Sequence, residues 1–378
     1  MEHVNVMGMK LNNPVVVASG PWSRGITKMK QVLARNPGAV FTESIVSEAY
    51  PDPRPRYAWD KQSHGLQNIR IYSGIELETW IEDLTEINKQ KRYGSTAKLI
   101  ASVMGTTPSE ARYIAKTVEK TGVDGIELGL ACPMGEGPQV LAANPDMVYE
   151  FAKETVDAVN IPVGVKLGAN TGDLTAVVKA AERAGVAGIS GIDTMRCILN
   201  IDVETGKPAL PTYGGYSGAP IKAMGLACVA GIVQSTSLPV LGIGGITNYQ
   251  DMLEYIMVGA NACGIGTEIL LGGFDVIKSV KNELEEWMNQ KGIHSLSEIR
   301  GVVLSNLRSF EEIDQNEKTA VISRLCNRPE TDCSLCVSAC LEKAVDIVDG
   351  TIVIDRTVCD GCGLCASICP DGNITLEW

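Results

Sequence analysis

The stretch PVLGIGGITNYQDMLEYIMVGANACGIGT, residues 239–267, holds one complete repeat of the fold. Its first apolar run, Pro239–Gly244, is short and ends in glycine, as buried parallel strands often do. The amphipathic segment Tyr249–Val258 follows and predicts a helix. A second apolar run, Cys263–Thr267, predicts the next strand. The stretch therefore predicts a strand, a helix and a second strand in succession.

Six further apolar runs of this kind precede it, at Val15–Ser19, Ala39–Val46, Lys98–Val103, Gly125–Leu130, Pro162–Leu167 and Gly188–Asp193. Helical patterns lie between them, at Ile75–Lys91, Pro108–Thr121, Pro145–Val159 and Asp173–Ala184. Eight such repeats predict an α/β fold, a (β/α)8 TIM barrel over residues 1–300, with a hairpin at Val4–Asn13 closing its bottom. A doubly wound open sheet is the alternative, but it usually has fewer strands.

Cysteines predict a second, smaller domain. Eight of the 12 cysteines lie between Cys326 and Cys369, in two runs. The second run, Cys359-x-x-Cys362-x-x-Cys365-x-x-x-Cys369-Pro370, has the spacing of a bacterial-type [4Fe–4S] ligand set. The first run is stretched, because six residues separate Cys326 from Cys333-x-x-Cys336-x-x-x-Cys340.

In such ligand sets the fourth cysteine of a run serves the other cluster. This rule assigns one [4Fe–4S] cluster to Cys326, Cys333, Cys336 and Cys369, and a second to Cys340, Cys359, Cys362 and Cys365. Zinc ribbons use two Cys-x-x-Cys pairs instead, and a disulfide framework needs an oxidising compartment. We therefore predict a small α+β 2[4Fe-4S] ferredoxin domain over residues 326–378, after a helical connector at 301–325. Asp349-Gly350, between two apolar runs, predicts a hairpin within it.

Composition excludes several functions. The chain has 378 residues, which suggests two domains, and a net charge of −12, which argues against nucleic-acid binding. No apolar run is long enough for a membrane span, and no signal peptide is visible at Met1–Pro21. Because clusters need reduced cysteines, we expect a cytoplasmic protein.

Glycine-rich loops at the ends of predicted strands indicate a phosphate site. They are Gly242-Ile243-Gly244-Gly245-Ile246, Gly264-Ile265-Gly266-Thr267 and Gly214-Gly215-Tyr216-Ser217-Gly218. Glycine lets backbone N–H groups approach a phosphate closely, and the helices that follow add a favourable dipole. Any one glycine could simply form a tight turn, but three such loops favour a phosphorylated cofactor. With clusters as electron carriers, FMN is the economical choice; the chain has no dinucleotide fingerprint for NAD.

Two side chains at predicted strand ends are candidates for chemistry. Lys166 ends an apolar strand, where a cation can stabilise negative charge on a reduced flavin. A solvated lysine or a Schiff-base lysine is the alternative. Cys132 lies on a loop at the barrel mouth, where a thiol can exchange a proton with a carbon next to a carbonyl. An inert buried thiol is the alternative for Cys132, and it is our interpretation of Cys197, Cys228 and Cys263.

Several ordered segments carry a family resemblance: Asn13-Pro14-Val15 to Ala18-Ser19-Gly20, Cys132-Pro133, Pro162–Leu167, Gly215–Lys222, Gly242–Ile246 and Gly266-Thr267. They resemble the dihydroorotate dehydrogenase family, especially the branch with the pyrimidine-reducing domain of dihydropyrimidine dehydrogenase, where an FMN barrel is joined to a two-cluster ferredoxin domain. The resemblance implies Cys132 as the catalytic acid or base, and a homodimer. It implies FMN contacts from Ala18, Ser19, Gly20, Thr42, Lys166, Asp193, Gly218, Gly244, Gly245, Gly266 and Thr267.

The departures from the family pattern fall on the residues expected to meet the substrate, which are Glu43, Asn68, Met134, Asp193 and Thr194. The family usually has lysine in place of Glu43, and Asn-Leu-Ser-Cys-Pro-Asn/His where this chain has Gly129-Leu130-Ala131-Cys132-Pro133-Met134. The family's Asn-Thr becomes Asp193-Thr194. A carboxylate left without donors would cost about 1–3 kcal/mol per unpaired group. We therefore expect a more apolar, neutral or cationic substrate with an activated C=C bond rather than dihydroorotate or uracil.

The main hypothesis is an FMN- and iron–sulfur-dependent oxidoreductase acting on a CH–CH or C=C bond next to a carbonyl. A hydride would pass through flavin N5 and a proton through Cys132. Electrons would be exchanged through the clusters with ferredoxin or an NAD(P)H-oxidising flavoprotein subunit. Three alternatives remain open: an electron-transfer subunit of a larger flavoenzyme, dihydropyrimidine dehydrogenase proper, and a barrel lyase or aldolase with a redox-sensing tail.

Overall fold

The computed structural model describes residues 3–131, 141, 143–313, 318–326 and 333–377. The chain divides into two compact units, Met1–Leu307 and Arg308–Trp378. Among the described residues, no helix combines the length and the hydropathy that crossing a bilayer requires. Each unit is considered by itself below, with strands and helices numbered along the whole chain.

The first unit opens with an antiparallel hairpin, β1 Val4–Val6 and β2 Met9–Leu11. Eight parallel strands then close into a barrel: β3 Val15–Val17, β4 Ala39–Phe41, β7 Lys98–Val103, β8 Gly125–Gly129, β9 Val163–Leu167, β10 Gly188–Gly191, β13 Val240–Ile243 and β14 Ala262–Ile265. Each of the eight predicted runs contains one of these strands, or all but its first residue. The prediction of a TIM barrel is confirmed.

Helices follow the barrel strands: α1 Gly25–Leu33, α2 Leu77–Lys89, α3 Pro108–Glu119, α4 Pro145–Val156, α5 Leu174–Arg183, α6 Lys222–Ser235, α7 Tyr249–Met257, α8 Thr267–Gly272 and α9 Val276–Lys291. Polar N-caps explain several starts. Thr107, Asn144 and Asp173 each accept a backbone N–H of the first turn. Asn248 and Asp251 form a capping box at α7. Proline at the first position of α3 and α4 costs no hydrogen bond, since that N–H has no helical partner.

The hairpin closes one end of the barrel, as predicted. Its residues Val6, Met7, Met9 and Leu11 are buried in one cluster with side chains of the barrel strands, Val16, Ala39, Phe41, Ile100, Leu241 and Ala262. A Cβ on Gly164 or Gly188 would lie within about 3 Å of Met7. Glycine is therefore required at both positions for Met7 to enter the barrel.

A four-stranded antiparallel sheet is built from the segments that follow β4 and β10. Its strands are β5 Tyr57–Asp60, β6 Gly65–Asn68, β11 Met195–Cys197 and β12 Gly214–Ser217, in the order β11-β12-β6-β5. Both segments leave the barrel at the carboxyl ends of its strands. This sheet, which we call the cap sheet, therefore adds walls at the end of the barrel where (β/α)8 proteins carry their functional residues.

The second unit contains two antiparallel strand pairs and two short helices. They are β15 Thr319–Ile322, α10 Leu335–Ala339, β16 Val345–Val348, β17 Thr351–Ile354, α11 Leu364–Ile368 and β18 Ile374–Glu377. Strand β15 pairs with β18, and β16 pairs with β17. Asp349 and Gly350 have φ values of 50° and 73°, as a two-residue hairpin turn with both central residues left-handed requires.

The structure corrects the expectation of a helical connector over residues 301–325. This segment contains 3-10 turns at Leu304–Asn306 and Phe310–Glu312, followed by β15. Mixed charges favoured a helix, but Thr319-Ala320-Val321-Ile322 has strong β propensity and a pairing partner in β18. Residues 308–325 thus belong to the second unit.

Candidate active site

Two adjoining cavities lie at the carboxyl ends of the barrel strands. The first, the glycine cavity, is lined by the loops after β13 and β14, with Gly218, Gly244, Gly245, Gly266 and Thr267. The second, the Arg70 cavity, is lined by Glu43, Asn68, Arg70, Gly129 and neighbours in the cap sheet. Residues common to both linings are Ser19, Trp22, Lys166, Asp193, Thr194, Ser217 and Thr267. The cavities therefore share a wall, and one extended molecule can occupy both.

Backbone geometry in the glycine cavity fits a phosphate. Gly218, Gly244 and Gly245 have φ values of 92°, 129° and 68°, which L side chains rarely adopt. A Cβ on Gly245 would lie 2.8 Å from the backbone nitrogen of Lys222, the first residue of α6. The loop therefore packs directly on a helix N-terminus, where the dipole favours an anion. Buried Tyr255 donates its hydroxyl to the Gly244 carbonyl at 2.6 Å and holds this loop in place.

Lys166 lies where the two cavities meet. Its Nζ is 3.6 Å from Glu127 Oε2 and 3.5 Å from Asp193 Oδ2. Burial by itself lowers the pKa of Lys166, but the carboxylates of Asp193 and Glu127 outweigh burial and raise that pKa above its ordinary value. Lys166 is therefore a fixed positive charge. A reduced flavin carries negative charge, so the glycine loops and Lys166 together fit FMN.

A network of charged side chains forms one side of the Arg70 cavity. Arg70 is 7% exposed, and its Nε lies 3.1 Å from Glu43 Oε1. Its Nη1 lies 3.5 Å from Asp52 Oδ1, and Asp52 also pairs with Arg24 at 3.2 Å and with Arg56. Three guanidinium groups thus share two carboxylates. The network carries one surplus positive charge, beside a cavity at the barrel mouth.

This network corrects the expectation that the pocket has lost its cation. Glu43 does replace the family's lysine, but Arg70 brings a guanidinium to the cavity wall and pairs with Glu43. Burial raises the pKa of the Glu43 carboxyl, and the charges of Arg70 and Arg24 oppose that shift. Asp193 is likewise paired, with Lys166. Neither acidic residue is an unpaired anion awaiting a cationic substrate.

The other predicted residues lie as follows. Ser19, Gly20, Asn68, Thr194, Gly266 and Thr267 line one or both cavities. Ala18 lines the glycine cavity, and its carbonyl accepts the indole N–H of Trp22 at 2.6 Å. Thr42 lines neither cavity; it is fully buried, and its hydroxyl oxygen accepts the Ser102 N–H at 3.0 Å. Cys132 and Met134 lie outside the described residues, three and five positions after Gly129.

Sequence reasoning missed Arg70, Trp22 and Glu127. A charged residue within an apolar strand could have revealed Glu127, since Gly125-Ile126-Glu127-Leu128 otherwise reads as a buried run. Arg70 is likewise a charged residue within an apolar run, since it lies between Ile69 and Ile71. Trp22 gave no signal, because its contacts with the turn at Gly20 and with Gly266 depend on the folded loop.

In the second unit the cysteines form two groups. Cys326, Cys333, Cys336 and Cys369 line one apolar cavity with Ile352 and Ile374. Burial raises the pKa of the Cys365 thiol, and Cys359, Cys362 and Cys340 are close enough to raise it further. Backbone N–H groups of Ala320, Ala344 and Asn373 donate to the sulfurs of Cys359, Cys340 and Cys369 at 3.4, 3.2 and 3.3 Å.

Each group of cysteines contains the four residues that the crossing rule assigns to one cluster. Cys326 lies with Cys333 despite the stretched spacing. Among the described residues, no three His, Cys, Asp or Glu side chains form a group suited to one metal ion. Four thiolates around an apolar cavity, with N–H donors to sulfur, suit an iron–sulfur cluster.

Comparison with known proteins agrees with this architecture. A family model described as dihydroorotate dehydrogenase matches residues 1–288, and one described as a 4Fe-4S binding domain matches residues 352–375. The catalytic subunit of dihydroorotate dehydrogenase B (NAD(+)) from Pyrococcus abyssi is 33% identical over 311 residues, covering 80% of this chain and 99% of that protein. The same subunit from Methanocaldococcus jannaschii is 32% identical, covering 80% and 98%.

A solved structure shares the fold. The dihydroorotate dehydrogenase of Eimeria tenella, crystallised with ferulenol, superposes with a TM-score of 0.70 at 20% identity, covering 79% of this chain and 88% of that one. At that identity the likeness concerns the fold alone. The family match over residues 1–288 goes further, and from it we conclude that this chain belongs to the dihydroorotate dehydrogenase family.

Proposed function

We propose that the chain oxidises or reduces a CH–CH bond next to a carbonyl, using FMN in the paired cavities and two [4Fe–4S] clusters in the second unit. As a member of this family it is a flavin oxidoreductase of the CH–CH class. The observation that carries the proposal is the shared wall of the two cavities, with Lys166 at their junction. A cofactor phosphate fits one end of this space, and a substrate fits the other.

The chain's own residues would hold FMN along the shared wall. Glycines 218, 244 and 245 and the N-terminus of α6 would bind its phosphate, and Lys166 would face the electron-rich part of its ring. Bound FMN supplies the conversion between a two-electron exchange with carbon and one-electron steps. Trp22 packs over the turn at Gly20 and beside Gly266, which shields the site from water.

The Arg70 cavity favours a substrate with an anionic or strongly polar acceptor group. The network around Asp52 carries surplus positive charge, and Arg70 and its partner Glu43 are its members on the cavity wall. A guanidinium matches a carboxylate or a pair of carbonyl oxygens better than it matches an amine. The substrate we propose is therefore an unsaturated carbonyl compound with an acidic group.

Dihydroorotate is the second candidate. Relatives at 32–34% identity bear the name of dihydroorotate dehydrogenase B catalytic subunits. Arg70 restores a cation to the pocket, which removes one objection drawn from the sequence. The polar side chains that the family pattern has at Gly129 and Met134 are still missing, so we rank dihydroorotate below another unsaturated acid.

Cys132 is the residue we propose for proton transfer. The chain leaves β8 at Gly129, which lines the Arg70 cavity, and reaches Cys132 three residues later. In the oxidative direction the substrate loses a proton from the carbon next to its carbonyl, and the Cys132 thiolate would accept it at Sγ. In the reductive direction the thiol would return that proton.

Electrons would leave or enter through two clusters, one held by Cys326, Cys333, Cys336 and Cys369 and one by Cys340, Cys359, Cys362 and Cys365. Two groups of four thiols support this assignment. The relatives bear the name of catalytic subunits, which implies a companion subunit in their case. We propose that this chain likewise works with a ferredoxin or a flavoprotein subunit, and forms a homodimer.

The test is anaerobic purification with quantification of iron, sulfide and flavin, followed by titration of the reduced protein with unsaturated acids, orotate, uracil and neutral enones. About one FMN and roughly eight irons per chain are expected for two cubanes. Flavin reoxidation by an unsaturated acid would support the proposal, and reoxidation by orotate would support the second candidate. Reoxidation by uracil or neutral enones alone would contradict the role of Arg70. If nothing in the panel reoxidises the flavin, the result favours the alternative in which the barrel is an electron relay.

Cys132→Ser tests the proton transfer. It should retain FMN while losing turnover roughly 100-fold or more, as removal of a general acid or base does. The matched control is Cys197→Ser, a thiol on β11 outside the lining of both cavities. Full activity in Cys132→Ser would assign the proton to another group.

A further inference from the structure

Among the described residues, four buried polar side chains on neighbouring barrel strands face its interior, and the proposed function uses only one of them. Ser102 and Glu127 are neighbours on β7 and β8, and Lys166 and Ser190 are neighbours on β9 and β10. A Cβ on Gly164 or Gly188 would contact Met7 in the barrel interior. Lys166 and Ser190 follow these glycines by two residues, so they point to the same inner side. These four side chains form a polar layer inside the barrel. The layer lies between the apolar residues of the β1–β2 hairpin and the two cavities.

Glu127 is the unexplained member of this layer. It is 0% exposed; its Oε2 accepts the Ser102 hydroxyl at 3.1 Å and lies 3.6 Å from Lys166 Nζ. Its Oε1 has no hydrogen-bond partner among the described residues, and the same is true of the buried Ser190 hydroxyl. Burying a carboxylate with so few partners destabilises the fold. The barrel would be filled at lower cost by an apolar residue, so its position beside Lys166 calls for a functional explanation.

The net charge of Glu127, Lys166 and Asp193 explains why Glu127 lies there. Lys166 contributes one positive charge, and Glu127 and Asp193 contribute two negative charges within 3.6 Å of it. The group thus carries a net charge of −1 beside the place where the cofactor ring would lie. Lys166 attracts negative charge on a reduced cofactor, but Glu127, buried on its far side, opposes it. In the low dielectric of the barrel interior neither effect is screened by water.

We propose that Glu127 is a positioning residue that offsets the charge of Lys166 and lowers the reduction potential of the bound flavin. The inference rests on the proposed function only in requiring FMN at this site. It explains how one barrel can contain a lysine that favours flavin reduction and still pass electrons onward to iron–sulfur clusters.

Glu127→Gln tests this inference, because glutamine keeps the shape and the hydrogen bond from Ser102 but removes the charge. Binding constants of oxidised and reduced FMN are measured on the full chain, anaerobically and without substrate. The quantity compared is the affinity for reduced FMN divided by the affinity for oxidised FMN. The change in this ratio between the variant and the unmodified chain gives the shift in flavin potential without interference from the clusters. We expect reduced FMN to gain about tenfold in affinity relative to oxidised FMN, a positive shift of about 30 mV for a two-electron couple.

Ser190→Ala is the matched control, since it is equally buried in the same layer but uncharged, and it should leave the ratio unchanged. Glu127→Asp provides a second variant that keeps the charge but withdraws it, with a smaller shift in the same direction. An unchanged or decreased ratio in the Gln variant, or a shift in Ser190→Ala of equal size, overturns the inference. A chain that binds no FMN overturns both the inference and the proposed function. If the affinity ratio shifts in Glu127→Gln but the chain turns over no substrate, the result supports this inference and not the proposed function.

Discussion

Arg70 brings a positive charge to the wall of the substrate pocket. It is almost fully buried, and it holds Glu43 and Asp52 together while facing the cavity. Replacing it with glutamine removes the surplus charge. We expect the dissociation constant of an anionic substrate to rise roughly 10- to 100-fold, as loss of a charge-assisted hydrogen bond of about 1.5–3 kcal/mol implies. Titration of the oxidised, FMN-loaded protein with substrate measures this.

The control for Arg70→Gln is Arg24→Gln. Arg24 belongs to the same network, through Asp52 and Glu43, but lies outside the lining of the Arg70 cavity. It should alter stability with much less effect on substrate affinity. Equal losses of affinity in the two variants would mean that the network acts through folding rather than through contact, and the assignment of Arg70 would be wrong.

Lys166 gives a prediction about pH. The carboxylates of Asp193 and Glu127 raise the pKa of Lys166 above its ordinary value, despite burial. A group with a raised folded-state pKa contributes stability that is fully present below the unfolded-state pKa and is lost only as pH rises through the folded value. Lys166 therefore stays charged from about pH 7 to about pH 9, and FMN affinity should be flat over this range. Fluorescence titration of FMN at several pH values measures it; a fall in affinity with a midpoint below pH 9 would contradict the constant charge.

The hairpin of β1 and β2 is the element whose packing can be tested most directly. Met7 is 1% exposed and fills the space that Gly164 and Gly188 leave open. Met7→Ala would leave a cavity, and we expect a loss of about 2–5 kcal/mol in the free energy of unfolding. Urea denaturation measures it, with Lys10→Ala on the same hairpin as the exposed control. If Met7→Ala lowers the free energy of unfolding by no more than Lys10→Ala does, the surrounding residues have closed around the cavity and the expectation is wrong.

Elements were predictable from the sequence where the pattern is local. The eight apolar runs and the helices between them follow from periodicity, and the Asp349-Gly350 turn follows from its φ requirements. The cap sheet was not predicted, because its pairing of β6 with β12 joins segments almost 150 residues apart. The Arg70–Glu43 pair joins residues 27 positions apart and depends on how the segment after β4 folds back on itself. Position along the chain revealed which residues end strands, but not which charges would meet there.

The cysteine groups carry the prediction that concerns the molecule as a whole, because they determine how many electrons it can hold. Cys326 lies with Cys333, Cys336 and Cys369 around one cavity, although the sequence spacing there is stretched. If it ligates a cluster, Cys326→Ser should lower the iron content by about four per chain, since each cubane contains four irons. FMN content should not change, because Cys326 belongs to the unit Arg308–Trp378 and the cofactor cavities to the other. Anaerobic iron and flavin analysis of the full chain measures both, with Cys197→Ser as the control. An unchanged iron content would leave that cluster with three cysteine ligands, and would mean that the first run follows a ligand pattern different from that of the second.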